Sequence, residues 1–235
     1  MGDPQTTAMG LGSLLAELSA FALAIGFSPI HIGLLLLLLL GPKPLQRGSW
    51  FVVGWLITAA LAVILLLTVG HGLLLSMDKG TSHRTGLDLI AAGVLLGLGL
   101  KELLGTKEES GPPGWTSKLE SFCAMPLPLL LGISGLLEVA SPDDLFLFAK
   151  TAGSLLSADL PQSQEILATG LFSLVSGALL LLPLVALLLL GKERVLPLLE
   201  NSKSWLFAKG DLLVGLVSIA LAVYLGWQGI GGLQA

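Results

Sequence analysis

Polar residues are so sparse in this chain that their positions mark its elements more clearly than the apolar ones do. Six apolar stretches, over residues 14–40, 50–75, 87–104, 126–152, 166–190 and 205–230, can each form a helix across a hydrocarbon core of ~30 Å, which takes ~20 residues. GPKPLQRG follows the first stretch, where Pro42 and Pro44 stop the helix and Lys43 and Arg47 suit the headgroups. SMDKGTSHRTG separates the second from the third. TKEESGPPGWTSKLE, residues 106–120, is the one long polar stretch, and its Glu, Ser, Gly and Pro content predicts a flexible linker. It divides the chain into a first unit over residues 1–105, a linker over 106–124 and a second unit over 125–235.

The two units share an order of features. Each opens with a span interrupted by Ser-Pro, at Ser28-Pro29 and at Ser141-Pro142, and continues with a second long span. Each closes with a span whose apolar run follows an acidic residue, LDLIAAGVLLGLGL and GDLLVGLVSIALAV. Three spans per unit force the second unit to enter the bilayer upside down relative to the first. The expected fold is therefore an all-α integral membrane protein, six transmembrane helices as two inverted three-helix repeats, with helices 1 and 4 broken at Ser-Pro.

Composition agrees with this pattern: 54% of residues are hydrophobic and 12% charged, against roughly 25% charged in a soluble domain. Mean hydropathy is +0.89. A net charge of -4 without a basic patch gives no nucleic-acid surface. Near the span ends, Lys43, Arg47, Lys101, Lys107, Lys118, Lys192, Arg194, Lys203 and Lys209 fall on one side and only Lys79 and Arg84 on the other, which predicts both termini non-cytoplasmic. The first ten residues carry no Lys or Arg, so the first span is expected to serve as its own signal anchor. Gly2 and Thr6 match a myristoylation pattern only loosely, and six spans need no lipid anchor.

Proline inside a span removes a backbone donor and crowds the carbonyl four residues earlier, that of Ile25 for Pro29 and of Glu138 for Pro142. Such breaks persist in lipid where protein, water or a ligand satisfies the backbone, so paired breaks point to a binding site at mid-bilayer depth. The candidate substrate-binding residues are Ser28, Pro29 and His31 at the first break, and Glu138, Ser141, Pro142, Asp143, Asp144 and Lys150 around the second. Carboxylates inside a span cost at least ~2.5 kcal/mol each on insertion scales and face a wet cavity or a cation. Lys150, seven residues after Asp143, is the expected partner; a solvated loop holding both aspartates is the alternative. His31 is either a packed hydrogen-bonding residue or a proton carrier. Pro183, without a polar neighbour, is expected to make a simple kink.

Weaker features have structural expectations. Glu17, Asp88 and Asp211 are expected at the interface, favouring helix N-termini. Gly93, Gly97, Gly99, Gly170 and Gly177 are expected at close helix contacts. Trp50, Trp55, Trp205 and Trp227 fit interfacial belts. Enzymatic chemistry lacks its parts: Cys123 and three scattered histidines make no zinc set, and no phosphate-binding loop or serine, histidine and acid set is evident. No enzyme activity, cofactor or metal is expected, and Cys123 alone forms no internal disulfide.

Residues 27–55, FSPIHIGLLLLLLLGPKPLQRGSWFVVGW, resemble the first motif of the GAP family, the peptidoglycolipid-addressing proteins of the lysine-exporter (LysE) superfamily, with Ser28, Pro29, Ile32, Phe51, Gly54 and Trp55 in matching positions. SPDDLFLFAKTAGSL is similar to that family's second motif at Pro142, Leu145 and Leu147, and the final span is similar to its last. His31 stands where the family often has a second proline, and Ser141, Asp143 and Asp144 replace Asn, Lys and Asn, reversing the charge beside the second break. The resemblance implies six spans, inverted repeats and export of a lipid, amphiphile or small solute across the bacterial inner membrane. Membrane lipids and such a substrate are the implied partners, and a homo-oligomer is compatible with it. The competing class is a non-transporting scaffold or assembly factor that docks partner helices.

Overall fold

In the computed structural model the described residues are 4–72, 82–104, 122 and 124–234. Helices account for the regular structure among them. The first unit contains α1 (Pro4–Gly26), α2 (Pro29–Leu40), α3 (Pro44–Gly72) and α4 (Ser82–Leu104). The second contains α5 (Leu127–Val139), α6 (Pro142–Ser157), α7 (Gln162–Ser176), α8 (Ala178–Leu190) and α9 (Lys192–Leu233). Cys123, Lys79 and all of the expected linker except Phe122 and Ala124 lie outside the described residues.

Helix α1 ends at Gly26 and α2 starts at Pro29, with Ser28 extended between them at φ -92° and ψ 107°. Pro29 supplies the reason, because a residue before proline is pushed out of the helical region. The two helices bend by 61°. Ser141, φ -84° and ψ 114°, stands in the same way before Pro142 at the start of α6. There the Glu138 carbonyl still finds a donor, the Ser141 N–H at 3.4 Å. A further interruption, bent by 65°, falls at Gly177 between α7 and α8. Pro183 lies inside α8 without ending it, consistent with a local kink.

Among the described residues three helical stretches are long and apolar enough to cross a membrane, Pro44–Gly72, Ser82–Lys101 and Leu212–Leu233, and up to five if each bent pair forms one span. Helix α9 has 42 residues, about 60 Å at ~1.5 Å per residue, so only its apolar Leu212–Leu233 part fits the bilayer depth. The outer surface is apolar: Leu189 is 75% exposed and Trp227 79%. A soluble protein hides such side chains, whereas lipid accepts them.

Helix α3 is the centre of the molecule, packed along α5 and α6 on one side and α7 and α2 on others. Glycines permit the closest approaches. Gly54 lies on the Leu131 backbone, Gly135 against Thr58, and Gly26 against the Ser176 carbonyl. Helices α4 and α9 run antiparallel, Gly99 meeting Gly215 at one end and Thr85 meeting Gly232 at the other. Gly93, Gly97 and Gly170, expected at helix contacts, have open space around them instead. Trp55, expected at an interface, is fully buried.

Candidate functional site

His31, just past the first Ser-Pro interruption, links α2 to α5. Its Nε2 lies 3.1 Å from the Ser134 carbonyl of α5, which can only accept, so Nε2 carries a hydrogen. Its Nδ1 lies 2.8 Å from the Ser28 hydroxyl, within the first break. The ring is 2% exposed and stands edge-on to Trp55 at 4.4 Å, while the Trp55 Nε1–H donates to the Ser176 hydroxyl at 3.3 Å. One side chain from α2 thus reaches α5, and the tryptophan behind it reaches the end of α7.

One turn beyond Ser134 on the same face of α5 comes Glu138, fully buried. Neither of its carboxyl oxygens has a hydrogen-bond partner, nor has the buried Ser134 hydroxyl. Across the second break, Asp144 is 5% exposed in the first turn of α6. Asp143 is half-buried and accepts a hydrogen bond from the Ser141 hydroxyl at 2.6 Å. The aspartates therefore begin a helix rather than occupy a solvated loop. Ser28, Pro29, His31, Glu138, Ser141, Pro142, Asp143 and Asp144 collect around the two breaks.

Lys150 does not join them. Instead of turning back toward Asp143, its ammonium is paired with Asp88 of α4, and both side chains are almost wholly buried. Nearby, Arg84 donates to the Ser157 hydroxyl at 3.0 Å and lies 3.7 Å from Glu17, whose Oε1 also accepts from the Ser154 hydroxyl at 3.0 Å. Two acids and two bases from α1, α4 and α6 form a neutral clasp. Glu17, Asp88 and Arg84 thus pair within the helix packing, whereas the Asp211 side chain lies outside the described set. A usable signal was present: Arg84 and Asp88 share a helix face at i and i+4, and charges of both signs inside apolar windows predict partners.

Two apolar clefts flank the first break. One, of about 450 Å³, lies between α2, α8 and α9 and is lined by Phe27, Ile32, Leu36 and Pro183 together with the polar Asn201 and Ser202. The other, of about 380 Å³, lies between α1 and α9 and shares Phe27. Among the described residues no group of three or more His, Cys, Asp or Glu side chains could hold a metal ion.

An apolar exterior, interrupted helices and buried charges define a helical membrane protein. The chain belongs to the SfLAP family, described as Sap, sulfolipid-1-addressing protein, whose profile matches residues 18–231. That is a glycolipid-addressing family of the kind the Ser28-Pro29 motif resembles. Neither a curated protein nor a solved structure matches the chain.

Proposed function

We propose that this protein moves a lipid or other amphiphile across the bacterial inner membrane, with the six-span inverted architecture that the lysine-exporter resemblance implies and both termini non-cytoplasmic. The spans are α1–α2, α3, α4, α5–α6, α7–α8 and the apolar part of α9. Packing relations support the repeat. Exchanging the units converts α1 on α7 into α5 on α3, and α2 on α9 into α6 on α4, and each of these pairs is in contact.

The observation that carries the reading is the larger cleft. It lies beside a broken helix and is lined by apolar side chains except for Asn201 and Ser202. Such a lining suits an acyl chain, with the two polar side chains available to a polar head. Family membership in sulfolipid addressing agrees with such a cargo.

The test is leaflet exchange in vesicles containing the purified protein and a tail-labelled fluorescent sulfated glycolipid, read by bleaching the outer leaflet. Exchange at least roughly tenfold faster than in protein-free vesicles, about 1.4 kcal/mol off the barrier, is expected. Ile32→Trp, which fills the cleft, is expected to abolish that gain. Wild-type exchange equal to that of empty vesicles contradicts the reading. The exposed Gly93 and Gly97 on α4 favour the second reading, a scaffold that docks partner helices there; stoichiometric co-purification of a partner together with absent exchange would select it.

A further inference from the structure

Glu138 is a buried acid without a partner. Its carboxyl is fully buried, both oxygens lack a donor, and the hydroxyl one turn away, that of Ser134, is equally buried and equally without a partner. Asp144 is itself buried, in the first turn on the other side of the break. The clasp at Glu17, Arg84, Asp88 and Lys150 shows how this chain treats buried charge elsewhere, by pairing each acid with a base. Around Glu138 the opposite arrangement holds.

Among the described residues, the neighbouring elements supply no cation for it. From α2 comes His31, whose Nε2 hydrogen is committed to the Ser134 carbonyl. From α6 come Asp144 and Asp143, the latter held by the Ser141 hydroxyl. Helix α3 brings Thr58 against Gly135, while its Arg47 donates to the Met125 carbonyl at the far end of α5. A carboxyl buried in an apolar setting without a donor or a cation favours its protonated form, and a second buried carboxyl across the break adds to that preference.

We propose that Glu138 and Asp144 form a proton-binding site spanning the break between α5 and α6, with the Ser134 hydroxyl as its remaining polar lining. The two carboxyls sit on opposite sides of a helix interruption, so reorientation of α5 against α6 changes their separation and with it the affinity for the proton. Use of that proton to drive cargo rests on the carrier reading above. The binding itself does not.

Infrared difference spectroscopy of the full-length protein in liposomes, with carbon-13 glutamate for assignment, tests the site without any transport measurement. Titration from neutral to alkaline pH is expected to convert a glutamic-acid carbonyl band to carboxylate. The band is expected to be absent in Glu138→Gln, to shift its midpoint by about one pH unit or more in Asp144→Asn, and to be insensitive to added sodium at fixed pH. A Glu138 carboxylate signal at every pH, an acid band that never titrates, or a midpoint unmoved by Asp144→Asn would overturn the proposal. Loss of the band on adding sodium would replace the proton with a metal ion. Lipid exchange without a titrating Glu138 would leave the carrier standing and remove only its proton site.

Discussion

Lys150 and Asp88 show how a charge becomes tolerable at this depth. Each alone costs ~2.5–3.5 kcal/mol on insertion scales, and together they offset much of that by pairing. Removing one partner strands the other, which costs about 3–5 kcal/mol, whereas replacing both by apolar groups is often neutral. Lys150→Met is therefore expected to lower the melting temperature of the purified protein in detergent by many degrees, and Lys150→Met with Asp88→Leu to recover most of the loss. A single variant that melts with the wild type would show that the pair stabilises nothing. At this scale the sequence was only partly legible. The need of Lys150 for a buried acid was readable from its apolar surroundings. Its choice of Asp88 over Asp143 was not, because that choice depends on α4 lying against α6. The same holds for Trp55, whose place in the core is set by His31 and Ser176, far away in sequence.

Helix interruptions differ in legibility for a local reason. Ser28-Pro29 and Ser141-Pro142 announce themselves through the steric demand of proline on the preceding residue, and the backbone there is extended in both places. Gly177 gives no such signal, since a single glycine in an apolar run is tolerated within a helix. Its role comes from outside: a side chain at Gly177 would run into Leu56 of α3. The same test sorts the glycines into two sets. Gly54 has no room for a methyl group against the Leu131 backbone, so Gly54→Ala must move α3 from α5, an overpacking cost of about 1–3 kcal/mol. Gly93 faces open space, and Gly93→Ala is expected to leave stability within about 1 kcal/mol of wild type, on the stabilising side because alanine favours the helix. Thermal unfolding of the two variants side by side checks the contrast, and equal losses would contradict it.

On the scale of the whole molecule, the polar and apolar features separate along the helix axes. The clasp lies at the end where Thr85 of α4 meets Gly232 of α9, while the larger cleft extends toward Asn201 and Ser202, beyond the opposite end of that pair. His31 links α2 to α5 through its bond to the Ser134 carbonyl. On the proposed carrier reading, the charge-paired end is closed and the cleft near the other end is the cargo path. Whether an acyl chain occupies that cleft is the most direct question to put to it. Purified protein in vesicles containing a lipid with a photoactivatable tail, irradiated and mapped by mass spectrometry, should carry adducts concentrated at Phe27, Ile32 and Leu36, and Ile32→Trp should remove them. Adducts scattered evenly over the lipid-facing leucines, unchanged by Ile32→Trp, would contradict the account.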